Sequence, residues 1–329
     1  MRPPQATGYA ELSLGTGVPV GVRSSLLAIL GTNRVPEKLP MTSHPDDPMD
    51  SRHALPDHSL PGRLPDLVVI GATKAGTTSL YRYLGEHPQI FMSTIKEPRY
   101  FMDPFFEGNY HRGVDWYRNL FRTQKTLCGE ATPAYTQPLT TVVAERMHQT
   151  IPEAKVIYLV REPWSRLLSH NQMIKSKKGC LRASLAEIVE NHPRAKRSSF
   201  YGSHFRNFRQ FFPANQILIV ESSDLLSQTR DTLRKIFSFL GVDSGFLSPV
   251  FDLRFNSTRS TRADRPVDET STSPTPDFCP QIREIIPAAL IREWHGRFHA
   301  EVDLLRQLTG QPFPSLDLPP LERLLAEHT

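Results

Sequence analysis

The chain has 329 residues and carries 39 Lys and Arg against 34 Asp and Glu, a formal charge of +5. This length holds one large α/β domain or two small ones, and a mild basic excess without dense Lys/Arg blocks excludes a nucleic-acid-binding arm while suiting an anionic nucleotide or an acidic acceptor. Three cysteines, Cys128, Cys180 and Cys279, form no CxxC pair and point to reduced thiols rather than a disulfide framework, and no stretch approaches the ~20 apolar residues that span a bilayer.

Residues 1–64 are rich in Pro, Ser, His and Asp without sustained periodicity, so a flexible leader is expected there. Leu26-Leu27-Ala28-Ile29-Leu30, after Arg23, is too short for a signal-peptide core. The first ordered element is Leu67-Val68-Val69-Ile70, an apolar run that stops at Gly71 and reads as a strand buried on both faces. A helix follows from Thr77, with Leu80, Tyr83 and Leu84 at helical spacing.

The connecting loop holds Gly71, Gly76, Lys74 and the hydroxyls of Thr73, Thr77 and Thr78. Unpaired N–H groups at a helix start carry the positive end of the macrodipole, glycine admits a phosphate close to the backbone, and Lys74 adds a full charge. An ordinary βα turn with a solvated Lys74 also fits this composition. A Walker A loop does not, because the lysine precedes Gly76, and a dinucleotide fingerprint lacks its third glycine.

Pro88 then ends the helix and Ile90-Phe91-Met92 begins a short strand. On charge alone, the Lys96-Glu97-Pro98-Arg99 stretch reads as a solvated loop. Aromatic residues between 107 and 121 are expected mainly in the core. A second buried strand, Lys155 to Val160, ends at Arg161, where ligands gather in parallel sheets. Eight residues on, Ser169 lies on a helix, so guanidinium and hydroxyl can converge on one phosphate. Taken singly, Arg161 paired with Glu162 is the competing reading.

Lys175 to Arg182 reads as a solvated basic loop. Gln216 to Val220 reads as a core strand, and residues 232–242 as a helix closed by Gly241. Residues 254–276 read as a polar loop of a length that suits a lid or simple disorder. A last helix, from about Pro287 to Thr309, places Leu290, Trp294, Phe298, Val302 and Leu305 on one face, with Trp294 as a packing anchor. No HExxH, EF-hand or Cys/His cluster appears, and no metal is expected.

Lys74-x-Gly76-Thr77-Thr78-x-Leu80 resembles the 5′-phosphosulfate loop of the sulfotransferase superfamily that uses 3′-phosphoadenosine 5′-phosphosulfate (PAPS). Arg161-x-Pro163-x-x-Arg166-x-x-Ser169 is similar to its 3′-phosphate site, and Lys96-Glu97-x-Arg99-Tyr100-Phe101 resembles the segment that carries the catalytic carboxylate in glycan-type, heparan sulfotransferase-like enzymes. Gly113-x-x-Trp116-Tyr117 and Glu130-x-Thr132-Pro133-x-Tyr135 match further segments.

The resemblance covers roughly residues 65–310, leaving 311–329 as a C-terminal tail. It implies an α/β fold with a P-loop-like central parallel sheet flanked by helices on both faces. It further implies transfer of a sulfuryl group from PAPS to a hydroxyl or amine of a glycan, a glycolipid or a hydroxylated small molecule, without a metal. Glu97 is the expected general base and Lys74 the expected partner of the departing phosphate. The donor is expected to be held by Lys74, Ala75, Gly76, Thr77, Thr78, Ser79, Arg161 and Ser169, with Arg259 or Arg262 of the late loop reaching the 3′-phosphate. Ala131 stands where heparan-type enzymes commonly carry a lysine, which counts against a heparan chain as acceptor. Many animal glycan sulfotransferases are Golgi proteins with an N-terminal anchor; a chain without one looks more like a soluble bacterial relative, and a cytoplasmic location is expected. A nucleotide-dependent kinase and a noncatalytic nucleotide-binding protein of the same fold are the alternatives.

Overall fold

A five-stranded sheet in the order β2-β3-β1-β4-β5 organises the computed structural model, which describes residues 57–137, 141–178, 193–253, 255, 279, 282 and 286–326. The chain divides into two units, Met1–Met49 and Asp50–Thr329, and the described residues all lie in the second. The strands are β1 (Leu67–Gly71), β2 (Ile90–Met92), β3 (Leu127–Ala131), β4 (Lys155–Val160) and β5 (Ile217–Glu221), and every pairing is parallel. β1 is central, with Leu67 opposite both Gly129 of β3 and Lys155 of β4. All five β1 residues are buried, as their apolar run requires.

The helices are α1 (Thr77–Glu86), α2 (Gly113–Arg118), α3 (Thr141–Thr150), α4 (Pro163–Lys178), α5 (Pro193–Arg197), α6 (Tyr201–Arg209), α7 (Ser222–Ser227), α8 (Thr229–Leu240), α9 (Ala288–Thr309) and α10 (Leu321–Leu325). From β1 to β2 the chain moves toward one edge, whereas β3 to β4 and β4 to β5 move toward the other. Right-handed crossovers therefore put α1 on one face and α3, α4 and α6 on the opposite face. α8 returns to the α1 side, where Phe237 packs on His87 at the end of α1 with ring centroids 4.6 Å apart. On the other side α9 runs against α6. Their backbones meet at Gly202, where an added Cβ would sit 2.6 Å from the Glu301 carbonyl oxygen.

The main core joins β1 and β4 to Tyr117, Phe121, Phe208 and Phe237. A second cluster gathers Trp164, Leu167, Ile282, Trp294 and Phe298. Each such fully buried side chain contributes about 1.5 to 3 kcal/mol relative to exposure. Trp294 is a packing anchor, with its ring centroid 5.9 Å from that of Phe298. The residues after 310, expected as a tail, are packed: Phe313 and Leu316 enter the main core, Leu324 the second, and the Ser315 N–H donates to Glu221 at 2.8 Å. The expected loop from Lys175 is helix as far as Lys178, as α4 continues through it.

Candidate active site

The order of the strands places a crevice at the carboxyl end of β1, between β3 on one side and β4 on the other. The loop that leaves β1 is tied down on both flanks. Ala72 donates from its N–H to Leu159 of β4 at 2.6 Å, and the Thr73 hydroxyl reaches the Pro133 carbonyl at 3.5 Å. Ala75 closes the turn with an N–H to the Ala72 carbonyl at 3.0 Å; its side chain is buried, so only its backbone faces a ligand. Gly76 caps α1 at φ +94°, a left-handed conformation that favours glycine. No side chain caps this helix and its first turn holds no acidic residue. Its N–H groups thus face an anion without competition. Thr77 is nearly buried, while Thr78 and Ser79 are half-buried beside it.

Lys74 adopts φ +70°, a conformation that costs a lysine about 1 to 2 kcal/mol and tends to persist at ligand sites. Its carbonyl accepts the Arg161 Nη1–H at 3.2 Å. The Arg161 Nε–H donates to Ser165 at 3.1 Å, and the Tyr201 hydroxyl brackets the Arg161 backbone, donating to its carbonyl at 2.5 Å and accepting its N–H at 3.3 Å. Burial pulls the Arg161 pKa below the ordinary guanidinium value. The Glu162 carboxylate does not pair with it. Instead both Glu162 oxygens cap α4, accepting the N–H groups of Trp164 at 2.9 Å and Ser165 at 2.6 Å. Among the described residues Arg161 has no ion-pair partner.

Ser169 does not bond to Arg161. It lies one helical turn beyond Ser165 on the same side of α4, half-buried. Arg166 is fully buried and supports the loop from below, donating to Ser199 at 2.6 Å, to the Thr73 carbonyl at 3.3 Å and to the Ala195 carbonyl. Arg259 and Arg262 lie outside the described residues.

Glu97, in the segment after β2, adopts φ +58° and is half-exposed, 3.6 Å from the Arg99 guanidinium, which also bonds Glu107 at 2.5 Å. Arg99 itself adopts φ +49°. Behind this turn Glu130 of β3 is fully buried. Its carboxylate accepts the hydroxyls of Tyr117 and Tyr135 at 2.8 Å each and of Thr132 at 2.5 Å. Thr132 in turn accepts the Arg99 N–H at 3.3 Å. Desolvation pushes the Glu130 pKa up to about 7, the hydroxyl donors oppose the rise, and the Glu97 charge adds to it. Lys74 and Glu97 are thus linked through one segment, because Thr132 holds the Glu97 turn and Pro133 meets the phosphate loop. The sequence reading singled out neither Ser165 nor Tyr201, and it gave no role to Glu130 or Thr132, although the Glu-x-Thr-Pro-x-Tyr segment was visible.

A profile of the family described as "Sulfotransferase domain" matches residues 64–308. The chain belongs to the sulfotransferase family. The class of enzyme expected from the motifs holds, and PAPS is the donor that the family uses.

The sulfotransferase domain is 30% identical over 225 residues to the human bifunctional heparan sulfate N-deacetylase/N-sulfotransferase 3, covering 63% of this chain and 25% of that protein. It is 28% identical over 260 residues to the mouse heparan sulfate glucosamine 3-O-sulfotransferase 5, covering 75% of this chain and 68% of the relative. The chain spans only about a quarter to a third of the bifunctional relatives it matches. The crystal structure of a sulfotransferase from Alicyclobacillus acidocaldarius shares the fold, with a TM-score of 0.59 and 22% identity over 77% of this chain and 99% of that one. The human and mouse heparan sulfate relatives overturn the expected cytoplasmic location, since the match is to the animal glycan type from which that expectation set the chain apart. Among the described residues no helix is long and apolar enough to cross a membrane, which assigns no compartment.

A cavity of about 470 Å³ adjoins the 3-10 turn Pro133–Thr136 and α6 of the sulfotransferase domain. Its walls include Tyr135, Phe200, Arg197, Arg206 and Arg297, and none of the described residues that line it is acidic. Ala131, in the place of a lysine, is buried at the end of β3 opposite Val69. Among the described residues no group of three or more His, Cys, Asp or Glu gathers to hold a metal.

Proposed function

We propose that this protein transfers a sulfuryl group from PAPS to a hydroxyl or amine of an anionic glycan. The observation that carries the reading is Arg161, a desolvated guanidinium that makes no ion pair among the described residues, the nearby Glu162 charge having its oxygens committed to the start of α4, and that bonds the backbone of the same loop that presents Lys74 and the start of α1. A buried cation of this kind is costly unless an anion completes it. Arg161 and Ser169 take the 3′-phosphate, while Lys74, the backbone from Ala75 to Ser79 and the Thr77 and Thr78 hydroxyls take the 5′-phosphosulfate.

In the reaction, Glu97 accepts the proton of the acceptor hydroxyl or amine as the new bond to sulfur forms. The bond from sulfur to the bridging oxygen breaks, and its electron pair leaves with adenosine 3′,5′-bisphosphate, whose growing charge Lys74 and the α1 N–H groups stabilise. The relatives named for heparan sulfate support a negatively charged glycan acceptor. Arg197 and Arg206 of the cavity add positive charge beside the Pro133–Thr136 turn, although neither Lys74, Glu97 nor Arg161 lines it and its Arg297 is paired with Glu293 at 3.6 Å. Ala131 sets this site apart from the heparan-type pattern, so the favoured acceptor is an anionic glycan other than heparan.

The test is incubation of the protein with isotope-labelled PAPS and pools of anionic and neutral glycans, read by mass spectrometry for an added sulfuryl group. Labelled product from the anionic pool, with turnover reduced about 10²- to 10⁴-fold in Glu97→Gln, is the expected result. Wild-type turnover in Glu97→Gln rejects the base assignment.

A further inference from the structure

We propose that Glu130 is a positioning residue for sulfuryl transfer, holding the Glu97 turn in its reactive place through the hydroxyl of Thr132. The proposal rests on the reading of Glu97 as the base. Glu130 touches neither solvent nor, among the described residues, any cation, and a buried carboxylate of that kind is retained only when its oxygens are fully engaged. Three hydroxyls engage it, from α2 (Tyr117), from the end of β3 (Thr132) and from the following 3-10 turn (Tyr135).

The Thr132 contact has a direction. Its proton is committed to the Glu130 carboxylate at 2.5 Å, which leaves the oxygen lone pairs to accept the Arg99 N–H at 3.3 Å. A hydroxyl that donates to a carboxylate is polarised into a better acceptor. Glu97 and Arg99, on either side of Pro98, both hold left-handed backbone that neither side chain favours. Such a turn persists only where its surroundings over-determine it. Asn109 grips it from the other side, its Nδ2–H donating to the Pro98 carbonyl at 2.8 Å and its N–H to the Arg99 carbonyl at 3.0 Å. Glu130 therefore holds the turn that carries the base, and through Tyr135 the same carboxylate contacts a residue that lines the cavity.

The experiment compares Thr132→Val, Thr132→Ser, Glu130→Gln and Glu97→Gln in the full chain, by kcat and KM for sulfuryl transfer, by calorimetry with adenosine 3′,5′-bisphosphate and by amide hydrogen exchange at Arg99. Small misplacements of a reacting group cost on the order of 10- to 100-fold, and kcat in Thr132→Val and Glu130→Gln should fall by about that factor with nucleotide affinity unchanged. Thr132→Val should also speed exchange of the Arg99 amide, and Thr132→Ser should restore both readouts. Wild-type kcat and Arg99 protection in Thr132→Val overturn the proposal. So does a parallel loss of nucleotide affinity, which marks a general packing defect, or a failure of Thr132→Ser to rescue. An inactive Glu97→Gln beside a fully active Thr132→Val rejects the relay alone, whereas an active Glu97→Gln rejects the base itself.

Discussion

The Nη1 of Arg161 donates to the main-chain carbonyl of Lys74 at 3.2 Å, so the end of β4 and the loop after β1 are joined by a bond that does not involve the lysine side chain. Support of the loop and chemistry at its tip are therefore separable. Lys74→Ala keeps the carbonyl and with it the Arg161 bond, while single-turnover transfer should slow by about 10²-fold or more through loss of charge stabilisation at the departing phosphate. Transfer preserved in the variant contradicts this.

Arg166 makes the opposite prediction. Buried and bonded to Thr73, Ala195 and Ser199, it is a strut beneath the phosphate loop. Arg166→Met strands those acceptors and should lower unfolding free energy by about 2 to 4 kcal/mol, with nucleotide affinity falling as Thr73 is released. Urea unfolding and calorimetry measure the two, and wild-type stability in the variant refutes the strut.

Glu130 gives the domain a pH signature. Its pKa in the fold is raised to about 7 by burial, above its ordinary value, so the folded state binds the proton more tightly than the unfolded chain does. The stability this contributes is complete below the unfolded pKa and is lost as pH rises through about 7. Between pH 5 and 8 the change is on the order of 2 kcal/mol at about 1.36 kcal/mol per pKa unit. Glu130→Gln should flatten the decline in that window, as followed by urea unfolding at stepped pH. An unchanged slope rejects the titration.

The cavity predicts selectivity for charge. Arg206 lines it and is exposed, so Arg206→Ala should raise KM for an anionic glycan by about fivefold, roughly 1 kcal/mol, at low ionic strength. The effect should fade in high salt, and a neutral acceptor should be unaffected. Equal KM changes for both acceptors disagree with that account.

The sheet was legible where strands are continuous apolar runs: β1, β4 and β5 follow from Val, Ile and Leu patterning, and β2 (Ile90-Phe91-Met92) from the proline that ends the helix before it. β3 was not, because Leu127-Cys128-Gly129-Glu130-Ala131 has no β-branched residue and buries a carboxylate, a choice made by its neighbours rather than by propensity. The phosphate loop and Arg161 were legible because their spacing is local. Tyr201 and Thr132 act on backbone groups across long stretches of chain, which residue patterns do not encode; Ser165, four residues from Arg161, was within reach of a local spacing argument. Glu162 beside Arg161 reads as an ion pair in sequence; the uncapped start of α4 claims it instead.

The most direct measurement is calorimetry of adenosine 3′,5′-bisphosphate and adenosine 5′-phosphate with wild type and Arg161→Ala. Wild type should bind the bisphosphate more tightly by about 10-fold or more, as a charge-assisted contact to the 3′-phosphate requires, and Arg161→Ala should erase that preference while binding the monophosphate as before. An undiminished preference for the bisphosphate in Arg161→Ala contradicts a single pocket that grips the nucleotide from both ends.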